Sequence, residues 1–172
     1  MSIYLSVVIP AYNEEKRLPP TLKEVVEYLK KQNFSWEVLV VNDGSSDNTA
    51  KVVAEFAQSY PNVRLIDNKI NQGKGAVVKQ GMLEAKGEWR LFMDADNSTP
   101  ISEVEELWPF IKDYEVIIGS RYVQGSKITE KQPFIRRFIS RAGNILIQLL
   151  ILPGIQDTQC GFKMFSQKAA EV

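Results

Sequence analysis

Runs of apolar, largely β-branched residues recur along the first half of the chain, with amphipathic stretches between them. Ile3 to Pro10 (Ile-Tyr-Leu-Ser-Val-Val-Ile-Pro) is continuously apolar but for one serine and ends on a proline. That pattern predicts a strand buried on both faces. Trp36 to Val41 and Glu88 to Met93 repeat it, and Val63 to Asp67 is a shorter version. Between them the period becomes helical. Leu22, Val25, Val26 and Leu29 share one face of a helix expected over about Leu18 to Lys31, with Pro19 and Pro20 in its first turn. Further helices are expected over about Asn48 to Ser59, capped by Ser46 or Asp47, and over Ala76 to about Ala85, ended by Gly87. The order β-α-β-α-β-α-β predicts an α/β fold, a mainly parallel sheet with right-handed crossovers and helices on its faces.

The pattern loosens afterwards. Pro100 admits a short helix over about Ser102 to Ile111, disturbed at Trp108-Pro109, and Glu115 to Gly119 reads as another buried strand. Residues 123–133 are polar and read as a loop. Phe134 to about Leu152 has a helical period, basic at Arg136, Arg137 and Arg141 and nearly all apolar from Ile145 onward. Pro153-Gly154 stops it. Residues 157–165 read as a loop and short strand, and Ser166 as the N-cap of a helix starting at Gln167. There is no internal repeat, and 172 residues suit a single domain.

Charge divides the chain. Net charge is zero, yet residues 1–120 carry 13 Lys and Arg against 18 Asp and Glu, whereas residues 121–172 carry 8 against 3. The later part is therefore the one suited to an anionic partner. No histidine is present. His-based metal sites and His general bases are excluded, leaving acid–base work to carboxylates, Lys, Tyr or the substrate. The single cysteine, Cys160, excludes an internal disulfide, and with no His to activate it a buried structural thiol is the favoured reading. No stretch resembles a signal peptide or approaches the ~20 apolar residues of a membrane span, so the domain is expected on the cytoplasmic side.

Candidate chemistry lies where strands end. Tyr12-Asn13-Glu14, Asn42-Asp43-Gly44, Asp94-Ala95-Asp96 and Ser120-Arg121 all follow predicted strands, so a parallel sheet lines them along one edge, where α/β folds bind nucleotides. Asp94 and Asp96 stand at i and i+2, a spacing that in extended backbone points both carboxylates to one side. Their repulsion is relieved by a cation between them, as by a divalent ion shared with a diphosphate. A solvated loop carrying two acids is the plainer alternative. Asp43 could accept from a base or a ribose hydroxyl, or form a turn beside Gly44. Gly73-Lys74-Gly75 would let backbone approach a phosphate, but its spacing fits neither a P-loop nor a dinucleotide fingerprint, and a helix-start turn explains it as well. Arg137 and Arg141 share a helix face suited to a phosphate, with lipid-compatible apolar residues behind; a solvated basic face is the alternative.

Together, Val-Val-Ile-Pro-Ala-Tyr-Asn-Glu-Glu (7–15), Val-Asn-Asp-Gly-Ser-Ser-Asp (41–47), Asn-Gln-Gly-Lys-Gly (71–75), Asp-Ala-Asp (94–96), Gly-Ser-Arg-Tyr (119–122) and Asp-Thr-Gln-Cys-Gly-Phe-Lys (157–163) are more specific than any alone. In this order they resemble the family-2 inverting glycosyltransferases, and within them the polyprenyl-phosphate (dolichyl-type) sugar transferases. The resemblance implies a GT-A fold, a Rossmann-like, mainly parallel sheet. It implies one catalytic domain, with residues 1–120 binding nucleotide-sugar and metal and residues 121–172 binding acceptor.

By the same resemblance Pro10, Ala11, Tyr12, Glu14 and Asp43 line the nucleoside pocket, with Lys74 near it. Asp94, Ala95 and Asp96 hold the donor diphosphate, Asp94 and Asp96 through Mg²⁺ or Mn²⁺. Arg121 and Arg137 meet the acceptor phosphate, and Asp157 and Gln159 face the sugar. The expected reaction is inverting transfer of a hexose, glucose first among them, from a UDP-sugar to a polyprenyl phosphate at the membrane surface, with no nucleic-acid partner. The alternatives are transfer to a saccharide or protein hydroxyl with Asp157 as base, and a non-catalytic nucleotide-sugar-binding module. Two positions depart from the pattern: Asn42 stands where the family often has a first Asp, and Ser98 where mannosyl enzymes carry a metal-binding Gln. Relatives continue past Lys163, some into membrane helices, so the chain is expected to be a C-terminally shortened form of a membrane-anchored parent.

Overall fold

The computed structural model describes residues 2–120 and 160–172. Strands β1 (Ile3–Ala11), β2 (Trp36–Asp43), β3 (Val63–Asn68), β4 (Gly87–Met93), β5 (Val116–Ile118) and β6 (Phe162–Ser166) form one sheet in the order β3-β2-β1-β4-β6-β5. β1 runs parallel to both β2 and β4, and β2 parallel to β3. Val7 pairs with Val38 on one side and Leu91 on the other, which brings the C-terminal ends of these strands to one edge. Leu5, Val7, Val8, Ile9 and Val38 to Val41 are fully buried, as their unbroken apolar runs require of strands covered on both faces. Each such side chain contributes roughly 1.5–3 kcal/mol.

Helices α1 (Leu18–Leu29), α2 (Thr49–Ser59) and α3 (Lys74–Glu84) connect the parallel strands. α1 buries Leu18, Thr21, Leu22, Val25, Val26 and Leu29, the predicted face, and has proline in its first turn. α3 begins two residues earlier than the sequence suggests. Gly73 is its N-cap, and the Gly73 carbonyl takes the Ala76 and Val77 N–H groups at 3.0 and 3.3 Å. Gly87 starts β4 instead of ending that helix.

The chain divides into two compact units, Met1–Ile117 with Gly161–Val172, and Ile118–Cys160. Within the first, the helix expected over 102–111 is two 3₁₀ turns, Ile101–Glu106 and Trp108–Phe110, parted at Leu107. β5 is short and its Val116 exposed, so it is an edge strand and not the buried one its composition suggests. β6 is antiparallel to β4, with Met164 opposite Leu91 and Phe162 opposite Met93. Ser166 caps the one-turn helix Gln167–Ala170, its Oγ accepting from the Ala169 N–H at 3.1 Å. The loop 123–133 and the helix Phe134 to Leu152, with Arg136, Arg137 and Arg141, lie outside the described residues. Among the described residues no helix is long and apolar enough to cross a membrane.

Candidate active site

The segments after β1 and β2 are laced together by side chains that satisfy backbone donors. Asn13 (φ 54) donates its N–H to Ser45 Oγ at 3.0 Å, and its Oδ1 accepts from the Ser46 N–H at 2.9 Å. The Glu14 N–H meets Thr49 Oγ1 at 2.8 Å, and the Glu15 N–H meets Asp47 Oδ2 at 3.2 Å. The N-cap of α2 is Asn48, not Ser46 or Asp47, and it makes no side-chain cap hydrogen bond; Asp47 Oδ1 accepts from the Thr49 N–H at 2.9 Å. The Glu14 carboxylate is gripped at both oxygens by Arg17, at 2.7 and 2.6 Å. Pro10 and Ala11 are buried beneath this edge, and Tyr12 holds its ring half exposed above it.

Asp43 belongs to the end of β2 and not to a loop. It forms no local turn: Oδ1 accepts from the Gln72 N–H at 2.7 Å and Oδ2 from the Gly73 N–H at 3.0 Å. The Asn71 side chain adds a bond to the Asp43 carbonyl at 3.1 Å. This folds residues 70–73 against Gly44, whose φ of 65° and contact with the Ile70–Asn71 backbone leave no room for a side chain. Asn42 has a reason to be an amide. It donates to Asp67 Oδ1 at 2.7 Å, where a second carboxylate would repel.

Asp94 and Asp96 follow β4, but not in extended backbone. The strand ends at Met93 and the chain turns through Ala95-Asp96, with Asn97 at φ 56. Strand alternation therefore does not govern where these two carboxylates point. Lys74 Nζ lies 2.6 Å from Asp94 Oδ1, and its charge also reaches Asp96. Burial pushes the Asp96 carboxyl up, but the Ser98 hydroxyl and N–H, with the charges of Arg17 and Lys74, outweigh it and hold it below the usual carboxylate range. Both Ser98 donors converge on Oδ1, at 2.6 and 3.0 Å. Ser98 thus props an acid instead of reaching a metal itself. The Thr21 hydroxyl fixes the turn by donating to the Ala95 carbonyl at 2.9 Å.

Two carboxylates at a strand end supply hard oxygen donors, fewer than the six that Mg²⁺ takes. Among the described residues no group of three or more His, Cys, Asp and Glu could hold a metal alone. The donor set fits Mg²⁺ or Mn²⁺ bound together with a diphosphate, and does not fit an all-protein cage.

Lys74 stands on Asp94, and Asp43 braces the neighbouring loop. Cys160 is buried, as the sequence suggests. Arg121, Arg137, Asp157 and Gln159 lie outside the described residues. Sequence reasoning missed Arg17, Thr21, Thr49 and the backbone of 72–73. Only Asn71-Gln72-Gly73, read as part of a motif, gave any signal of them.

Residues 6–172 match glycosyl transferase family 2. A dolichyl-phosphate beta-glucosyltransferase of Trichomonas vaginalis is 42% identical over 181 residues, 99% of this chain and 55% of the relative. The Homo sapiens and Saccharomyces cerevisiae proteins of that name are 38% and 37% identical, over 96% and 97% of this chain and 56% of each relative. The chain thus spans about half the length of the curated relatives it matches. Two solved structures share its fold. A mannosyltransferase from Pyrobaculum calidifontis in complex with GDP-Man and Mn²⁺ has a TM-score of 0.63 at 18% identity, over 98% of this chain and 46% of that one. Glucosyl-3-phosphoglycerate synthase from Mycobacterium tuberculosis with Mn²⁺, UDP-glucose and phosphoglyceric acid has a TM-score of 0.66 at 19% identity, over 96% and 57%. At that identity the likeness speaks for the GT-A fold alone. With a family match that runs from the middle of β1 to the last residue, the chain belongs to glycosyl transferase family 2.

Proposed function

We propose that this chain carries the site of an inverting glucosyltransferase that moves glucose from UDP-glucose to a dolichyl-type polyprenyl phosphate at a membrane surface. The observation that supports this most is the pair of acids Asp94 and Asp96 just past β4 at the sheet edge, with Lys74 2.6 Å from Asp94 Oδ1. It occurs in a chain 37–42% identical to relatives named for that reaction. Tyr12, half exposed beside buried Pro10 and Ala11, offers a ring face to the base, and Glu14 borders the same pocket. Asp43 shapes that pocket through the 72–73 backbone and keeps lone pairs for a ribose hydroxyl. Asp94 and Asp96 would hold Mg²⁺ or Mn²⁺, which would supply positive charge to the leaving diphosphate.

Lys74, released from Asp94, stays within reach of the same phosphates. Arg121 and Arg137 bind the acceptor phosphate, and Asp157 and Gln159 border the sugar. An acceptor phosphate oxygen forms the new bond to the anomeric carbon as the bond to UDP breaks, its electron pair leaving with UDP. That oxygen is already anionic near neutral pH, so a chain without histidine needs no strong base. Titration of UDP with Mn²⁺, and transfer to a short polyprenyl phosphate, test the reading in wild type and Asp96→Ala. Loss of both in the variant is expected; unchanged Mn²⁺-dependent affinity would sink it.

A further inference from the structure

Gly161 stands immediately before β6, and β6 lies antiparallel against β4 with Phe162 opposite Met93. That register carries the residue before β6 past the residue after β4, so Gly161 meets Asp94. A Cβ built on Gly161 would fall within the Asp94 carboxylate: its three nearest heavy atoms are Oδ2, Cγ and Oδ1 of that one side chain. The carboxylate is held from elsewhere by Lys74, 2.6 Å from Oδ1, and its side chain is 28% exposed. The backbone does not require glycine here, because the left-handed glycines are Gly44 and Gly73. What excludes a side chain at 161 is the Asp94 carboxylate.

We infer that Gly161 is a positioning residue for Asp94: its bare Cα leaves the space in which the carboxylate is aimed at the donor diphosphate and its ion. This rests on the proposed role of Asp94 as an ion ligand. The obstacle is the tip of a side chain and not backbone, so an alanine would be relieved by Asp94 swinging away while the β4–β6 pairing stays intact. Fold and site then separate in one substitution. The glycine of 157–163 becomes the physical link between that motif and Asp-Ala-Asp.

The test compares wild type, Gly161→Ala, Asp94→Ala and the double variant as whole chains. Each is followed by thermal unfolding, by titration of UDP with and without Mn²⁺ (GDP where UDP does not bind), and by a crystal structure of Gly161→Ala. The expected result is a folded Gly161→Ala with the Lys74–Asp94 pair broken. Its Mn²⁺-dependent nucleotide affinity should drop about 10–100-fold, the range for losing an outer-shell partner of a ligand, with metal-free affinity unchanged. Gly161→Ala should add nothing to Asp94→Ala. A folded Gly161→Ala with wild-type Mn²⁺-dependent affinity and an intact pair overturns the inference. If Gly161→Ala does not fold, a folded double variant supports it and an unfolded one overturns it. If wild type binds no nucleotide with Mn²⁺, the donor-site reading fails by itself, and the pair distance in the variant still decides whether Gly161 seats Asp94.

Discussion

Replacing Asp43 by Asn isolates what this carboxylate does. Asp43 is 3% exposed and accepts two backbone N–H groups, Gln72 at 2.7 Å and Gly73 at 3.0 Å, one on each oxygen. Asn keeps one acceptor and turns an NH₂ toward the other N–H. One charge-assisted bond, worth about 1.5–3 kcal/mol, is lost, and the survivor falls to about 0.5–1.5 kcal/mol. The loss is about 2–4 kcal/mol. Residues 70–73 sit on the end of the sheet, so much of it should appear as local opening and not as global unfolding. At about 1.4 kcal/mol per decade, amide exchange at Gln72 and Gly73 should accelerate roughly 30–700-fold. Hydrogen exchange resolved at these two amides measures it, with urea unfolding alongside to catch any global share. If the loop also shapes the nucleoside pocket, UDP affinity should fall in parallel. Unchanged exchange at both amides would refute the reasoning, whatever happened to binding.

Asp47 gives a pH signature. Burial raises its carboxyl, but the Thr49 hydroxyl and N–H and the Glu15 N–H outweigh that and hold it below the ordinary value. A folded value below the unfolded one, about 3.9, means stabilisation is complete above pH 4 and lost as pH falls through the folded value. Asp47→Asn should therefore be less stable than wild type at pH 7, with the gap in urea midpoint closing towards pH 3; a constant gap would contradict this. Glu37, 4% exposed, accepts from Ser6 Oγ and the Lys86 N–H, both at 2.7 Å. Glu37→Ala strands the buried Ser6 hydroxyl, the part-buried Lys86 N–H and the Arg64 guanidinium 3.3 Å from Oε2, and should cost about 3–5 kcal/mol in urea unfolding. It stands six positions before Asp43 on β2, about 20 Å away, so UDP titration of the folded variant should match wild type.

What the chain showed in advance was whatever neighbours in sequence decide. The unbroken run Val7 to Ile9 demands burial on both faces, and β1 lies at the sheet centre. The polar turns after it and after β2 and β4 reach one edge because parallel pairing leaves no other place for them. Local rules fell short where a distant partner decided. For Asp43 a turn beside Gly44 and a ligand contact stood as alternatives, and neither foresaw that its oxygens accept from residues 72 and 73. Asp94 and Asp96 looked aligned by strand alternation, yet β4 stops at Met93, before either of them. β6 was visible as a strand, but nothing local says that it enters between β4 and β5.

The same partners favour Asp94 and Asp96 over Asp43 and Glu14 as holders of the proposed ion. Asp43 would have to abandon two buried N–H groups, and Glu14 a two-pronged bond from Arg17. Among the described residues Asp94 has Lys74 to release, a cation 61% exposed, in the class of pair worth about 0–1 kcal/mol. Asp96 has Ser98 on Oδ1 and leaves Oδ2 without a hydrogen bond among the described residues. A divalent cation competing for oxygen therefore meets least resistance at these two carboxylates. The lysine it displaces needs a new anion, and the diphosphate that arrives with the ion provides one. Ion and nucleotide should accordingly bind with positive coupling, each weakly alone. Equal Mn²⁺ affinity with and without UDP, in a chain that binds both, would show that Lys74 is no part of the exchange.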